Sequence, residues 1–217
     1  MKTKVVALML LAVTFVSSVI AQFEGKIVYE LDYELPEAME AQRAMLPPSM
    51  DMIIGKDNVK IIQKTMMGEQ VVITDTKKDE TILLMDMAGQ KTAIKIPAEE
   101  KEKQDKSPKP EFKYDSKTKK VAGYKCKHAV MVMKGDDGEE IETDVYYTEE
   151  IPAQANTKLK GLKGFPLEYS VTNRGMVITM TAKNIEKIKV AKSEFDVPEG
   201  YKVMTMEEFQ EMMTGGK

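Results

Sequence analysis

Apolar and polar residues alternate almost without a break in "FEGKIVYELDYEL", residues 23–35. Phe23, Gly25, Ile27, Tyr29, Leu31, Tyr33 and Leu35 share one parity. Glu24, Lys26, Glu30, Asp32 and Glu34 share the other, with Val28 the one exception. A period of two sends alternate side chains to opposite sides of the backbone, so this segment predicts a strand with one dry face and one wet face.

The same period recurs along the chain. "MDMII" leads through the turn "GKDN" into "VKIIQKTM", where Val59, Ile61, Gln63 and Thr65 share a face. Gly68 and Glu69 are expected to turn the chain into "QVVITD". "TKKD" then leads to "ETILLMDM", which aligns Thr81, Leu83, Met85 and Met87, and "KTAIKI" follows. Further on, "VAGYKCKHAVMVMK" and "EEIETDVYYT" flank the turn "GDDG" (135–138), and "FPLEYSV" and "MVITMTAKNIEKIKV" flank "TNRG". Short polar turns between β-rich runs of hairpin length mark consecutive antiparallel strands.

Helical periodicity is confined to two places. "PEAMEAQRAML" (36–46) predicts a short helix closed by Pro47 and Pro48. "TMEEFQEMM" (205–213) predicts a C-terminal helix capped by Thr205, with Glu208 completing a capping box and Met206, Phe209, Met212 and Met213 on one stripe. Residues 97–110 break the pattern: eight of the thirteen from Ala98 to Pro110 are charged, which predicts a solvated loop. "EEIPAQANTKLKGLKG" (149–164) is irregular, punctuated by Pro152, Gly161 and Gly164.

The fold class that follows is mainly β: a single curved antiparallel sheet forming an unclosed half-barrel of about 10–12 strands with a few short helices, since a flat sheet of that width exposes long edges. Such a wall wraps around its own side chains, a helix or a ligand. If it holds a ligand, the inward parity nominates Ile27, Tyr29, Leu31, Tyr33, Leu83, Met85 and Tyr169 as cavity lining.

The first residues change the picture of where this happens. Lys2 and Lys4 precede an apolar run from Val5 to Val16 and the small residues of "SSVIA". That order describes a cleavable leader over residues 1–21, cut between Ala21 and Gln22, and the run is too short to span a bilayer. The expectation is an exported chain, periplasmic or extracellular, with one domain over 22–217. The residue after the cut is Gln22 rather than a cysteine, so no lipid anchor is expected, and no later stretch is long and apolar enough to cross a membrane.

Charge narrows the partners. The leader carries two lysines and no acids, so its removal takes the net charge from −3 to −5. Mild acidity with interspersed signs argues against nucleic acid. Cys126 is the only cysteine, so no disulfide framework is available.

Candidate chemistry is sparse. His128 is the only histidine, and Cys126 lies two residues before it on a predicted strand. Side chains so placed point out in parallel rather than converging as a nucleophile and base, so no enzyme is expected. There is no Gly-rich phosphate loop, calcium loop or zinc spacing, and no cofactor is expected. The chain has no Trp and 18 Met, 16 of them after the leader, several as Met-x-Met pairs: Met50 and Met52, Met85 and Met87, Met131 and Met133, Met204 and Met206. Thioethers with Cys126 and His128 are soft ligands suited to Cu(I), which makes copper binding one alternative. Adaptable core filling explains the same residues. The leading expectation is a lipid or other apolar molecule on the concave face. The runner-up is an envelope protein partner contacting a scaffold whose interior is filled.

Five segments in order resemble one known family: "AGYKCKHA" (122–129), "YYTEEIP" (146–152), "GLKGFPLEYSV" (161–171), "MTAKNIEKIKV" (180–190) and "FDVPEGYK" (195–202). Together they look like the secreted bacterial proteins grouped as domain of unknown function 4412, most strongly over residues 111–202. In that family a Trp often stands where this chain has Tyr146 or Tyr147. The resemblance implies a fold near the lipoprotein carriers LolA and LolB, an unclosed β-barrel whose short helices cover an apolar cavity. It implies no function, and no lipoprotein-binding residue of the carriers matches a position here.

Overall fold

The computed structural model describes residues 23–66, 68–87, 89–104, 109–134, 138–173 and 175–214. The leader expected over residues 1–21, with its cut between Ala21 and Gln22, lies outside the described residues.

Twelve strands form one sheet. Six come from the first half of the chain: β1 (Gly25–Glu34), β2 (Ser49–Ile54), β3 (Asn58–Thr65), β4 (Gly68–Asp75), β5 (Glu80–Met87) and β6 (Gln90–Ile96). Five come from the second: β7 (Glu111–Val121), β8 (Tyr124–Lys134), β9 (Glu140–Thr148), β10 (Phe165–Asn173) and β11 (Met176–Lys187). The last is β12 (Lys202–Thr205). Their order is β12-β6-β5-β4-β3-β2-β1-β11-β10-β9-β8-β7, so the sheet is open, with β12 and β7 as its edges. Two meanders meet at one seam, where β1 pairs antiparallel with β11 from Gly25 opposite Lys187 to Glu34 opposite Val177.

Cross-strand register carries the alternation of β1 around the wall. The inward row runs Ile27, Met52, Ile61, Val72, Leu83, Ile94 and ends on Met204 of β12. On the other side Leu31 lies opposite Met180, which lies opposite Tyr169 and then Val145 and Ala129. Of these, Ile27, Met52, Ile61, Leu31, Met180, Tyr169, Val145 and Ala129 belong to the main core, with Val72 packed against it. A second, smaller core lies on the outer face, where Val71, Ile73, Leu84 and Ala93 are covered by Phe195, Val197 and Tyr201. The chain after β11 crosses that face, Lys60 bonding the Glu194 carbonyl and carboxylate at 3.0 Å, and delivers β12 parallel to β6.

Several local expectations change. The reversal after β3 falls at Met66 rather than at Gly68 and Glu69, because Gly68 already pairs with Thr65. Residues 36–46 form a 3-10 helix, Glu37–Met45, after Pro36. The segment expected as a wholly looped 97–110 contains a helix, α1 (Ala98–Gln104), with Glu99 and Glu100 in its first turn, where the helix dipole favours acids. Strand β7 is the largest surprise, since its burial shows almost no dry face. It is an edge strand, and its lysines and the register break between Tyr114 and Thr118 discourage further pairing. Helix α2 (Met206–Met213) starts as expected, with the Thr205–Glu208 capping box in place.

Candidate functional site

The concave wall is not uniformly filled. Segment 149–164 crosses one mouth of the half-barrel and sinks Ile151, Ala155, Leu159 and Leu162 into the core. Asn156 shapes it locally: its side-chain amide donates to the Leu159 carbonyl at 2.7 Å, and its oxygen accepts from the Leu159 amide at 2.8 Å. This roof reaches the turn before β3, where Pro152 and Ala155 lie near Gly55 and Val59. It also reaches the turn after β4, where the Lys160 ammonium donates to Asp79 at 3.2 Å.

Four of the seven nominated residues lie in the filled part. Ile27, Tyr29, Leu31 and Tyr169 face inward, but they meet other side chains there, with exposures of 0, 1, 6 and 3 %. The Tyr29 hydroxyl donates to the Pro166 carbonyl at 2.7 Å, and burial raises the pKa of both tyrosines well above the ordinary phenol value. They belong to the same core as the roof residues Ile151, Ala155, Leu159 and Leu162. The other three, Tyr33, Leu83 and Met85, are half-buried. So are their inward-facing neighbours Val72, Val171 and Ile178. Gln63 and Gln70 share the row of Met85, so this part of the wall is apolar with polar interruptions.

At the strand ends beside β6 a cleft of about 860 Å³ opens between α1 and the start of α2. Ile82, Ile96 and Pro97 give it apolar surface, and Glu80, Glu99, Glu100 and Glu207 stand around it. Thr81 and Ile96, which belong to the inward rows, reach this cleft. Glu99, Glu100 and Glu207 sit in the first turns of the two helices, which accounts for their sign.

A cationic cluster lies under the roof end of α1. Lys101 donates to the Asp79 carboxylate and, at 3.1 Å, to the Asp79 carbonyl, and Lys160 takes the second carboxylate oxygen. These bonds, Lys101 first, hold the Asp79 carboxyl below its usual range. Lys158 belongs to the same group without sharing that acid. Burial of its ammonium, with Lys101 close by, lowers its pKa.

The remaining candidates turn out to be structural. Both ring nitrogens of buried His128 lie 2.9 Å from carboxylate oxygens, Nδ1 from Asp115 and Nε2 from Asp144. The ring therefore clamps β7 to β9 through β8, and its two acids stand on opposite sides, where no single ion joins them. Among the described residues no group of three His, Cys, Asp or Glu converges to hold a metal. Burial pushes the Cys126 thiol up to about 11, with Glu168 and Glu150 adding to it. A thiol in that state is neither a ready nucleophile nor a thiolate ligand at neutral pH. Folded protein at pH 8 is accordingly expected to react with a disulfide reagent at least a hundredfold more slowly than in urea, as a timed absorbance assay will show. Prompt labelling would mean the site is open. Of the methionine pairs, Met50 and Met52 are both buried, as are Met131 and Met204, whereas Met85, Met133 and Met206 are half-buried. The Met87 side chain lies outside the described residues.

No family model matches the sequence. No curated protein matches it either. Among solved structures, the chain is similar to LprF from Mycobacterium bovis at 11 % identity, covering 83 % of this chain and 91 % of that one, with a TM-score of 0.37. It is also similar to a LolA superfamily protein from Nitrosomonas europaea at 7 % identity, covering 82 % and 91 %, with a TM-score of 0.34. Identities this low transfer no residue and no ligand to this chain.

Proposed function

We propose that this chain is an exported, non-enzymatic protein that holds a hydrophobic ligand, a lipid or acyl chain, against the unroofed part of its inner wall. The observation that carries this reading is the contrast along one inward row. Ile27, Met52 and Ile61 are sealed, Val72 and Leu83 of the same row stay half-buried, and Ile94 and Met204 beyond them are sealed again. The inward positions Thr81 and Ile96, with Ile82 and Lys95 of the outward parity, line a cleft of about 860 Å³, on the scale of ligand pockets. Binding would remove apolar surface from water on both partners, worth roughly 25 cal/mol per Å² before ordering costs.

The test uses the mature protein and Nile red, an uncharged apolar dye, alongside mass spectrometry of solvent extracts. Leu83→Glu and Met85→Glu are expected to weaken dye binding at least tenfold, since a carboxylate in the wall loses its hydration when the dye docks. Ile188→Glu, at an exposed position outside the wall, serves as the control and should bind like the parent.

The sealed half of the concavity favours a second reading, an envelope scaffold that contacts a protein partner through its outer surfaces. No extractable lipid, together with dye binding indifferent to Leu83→Glu, would favour that reading and remove the first.

A further inference from the structure

We propose that the end of the wall away from the roof is a site of methionine oxidation, where a peroxide converts Met45, Met66, Met85 and Met176 to sulfoxides, and that this makes an apolar mouth polar and expels the ligand. The expulsion rests on the carrier reading, whereas the oxidation does not.

The topology gathers these four residues at one end of the sheet. The reversal from β3 to β4 falls at Met66, beside the pair Thr65 and Gly68, and Gly68 lies opposite the end of β5. Strand β1 closes at the same end, where Glu34 pairs with Val177, the residue after Met176. The 3-10 helix Glu37–Met45 follows β1 there and is tied to the wall. Its Arg43 donates to the Tyr33 carbonyl at 3.0 Å, and the Tyr33 hydroxyl donates to the Pro47 carbonyl at 2.7 Å. The turn before β11 reaches the start of this segment, since a Cβ at Gly175 would stand 3.5 Å from Pro36. The roof lies at the opposite strand ends, bonded to the turn after β4.

Access separates these sulfurs from the rest. Met66 is 85 % exposed and Met45 55 %. Met85 and Met176 are half-buried and face inward, Met85 opposite Gln70 and Met176 on the parity of Ile178 and Met180. Met50, Met52, Met131 and Met204 are buried. A thioether needs no deprotonation to react, so exposure decides how fast it is oxidised. The sulfur lone pair attacks one peroxide oxygen, the S–O bond forms and the O–O bond breaks. Sulfur gives up two electrons, and the departing hydroxide takes the proton of the transferred hydroxyl and leaves as water. A flexible apolar side chain thereby becomes a polar one, beside the half-buried Leu83, Val171 and Ile178. An apolar chain docking there would strip water from the new dipole, which opposes binding.

The test treats mature protein with hydrogen peroxide for timed intervals, locates each sulfoxide by tandem mass spectrometry of tryptic peptides, and titrates Nile red into every sample. Met45 and Met66 are expected to oxidise about tenfold faster than the four buried methionines, with Met85 and Met176 between them, and the rates should converge in urea. Dye affinity should fall about tenfold as the mouth is modified. The combined variant Met45→Leu, Met66→Leu, Met85→Leu, Met176→Leu conserves volume, so its dye affinity should stay within about twofold of the parent's and change little on treatment. Met212, 49 % exposed on α2 at the roofed end, supplies the control: Met212→Leu should lose dye binding on treatment as the parent does. Unfolding curves establish that both variants are folded.

Equal oxidation of mouth and buried methionines in the folded protein overturns the proposal. So does dye binding that survives full oxidation of the mouth, or a loss that persists in the combined variant. Each of these outcomes leaves the carrier reading standing. A parent that binds no dye before treatment overturns both.

Discussion

Replacing Phe165 with alanine is expected to cost about 3–5 kcal/mol of stability. Phe165 opens β10, pairs with Thr148 and has no exposed surface. It lies in the same core as the roof residues Ile151, Leu159 and Leu162. The cost combines lost transfer energy with an unfilled cavity, and close packing makes both felt. Urea unfolding followed by far-ultraviolet circular dichroism reads the change directly, since the chain has no Trp. A loss below about 1 kcal/mol would mean that the roof relaxes inward, and that the sealed half of the wall is softer than its burial implies.

Gly25→Ala is the second large effect. A Cβ at this position would stand 2.2 Å from the Glu186 carbonyl oxygen and 2.9 Å from the Phe23 ring. The first contact is with backbone, so the strand itself must move. Gly25 is also where the seam between the two meanders begins, opposite Lys187 on one side and Ile54 on the other. A single methyl group is therefore expected to destabilise the fold by about 2–3 kcal/mol and to speed hydrogen exchange along β1 and β11. Gly200→Ala is the control: an added Cβ there meets nothing within 4 Å, and only its positive φ of 86° opposes the change. Equal losses in the two variants would show that the seam yields.

Much of the wall was legible from alternation alone. β1 reads buried and partly covered by turns because one face packs on the core, and the same holds for β2 and the first half of β3. Strand β7 was illegible for the opposite reason. As an edge it has little to bury, so Lys113, Lys117, Lys119 and Lys120 hide its period. Strand β12 has four residues, too few for any periodicity, and it joins the sheet through the outer-face crossing anchored by Phe195.

The candidate site was half legible. Parity placed all seven nominated residues on the inner face. It could not separate the sealed Ile27, Tyr29, Leu31 and Tyr169 from the half-buried Tyr33, Leu83 and Met85, because what fills the space is segment 149–164. Its apolar residues, Ile151, Ala155, Leu159 and Leu162, are spaced as on a helix face, yet with Pro152 and Gly161 in the segment it folds irregularly, with only the 3-10 turn Ala153–Ala155.

The seam between β1 and β11 sets an order of events in making the molecule. Gly25 must wait for Lys187, its partner, before the middle of the sheet exists. Until then each meander is a strip with one unsatisfied border, and closing so long a stretch of chain is slow compared with forming a hairpin. A polypeptide emerging amino-end first thus leaves the middle of this sheet unfinished until β11 is available.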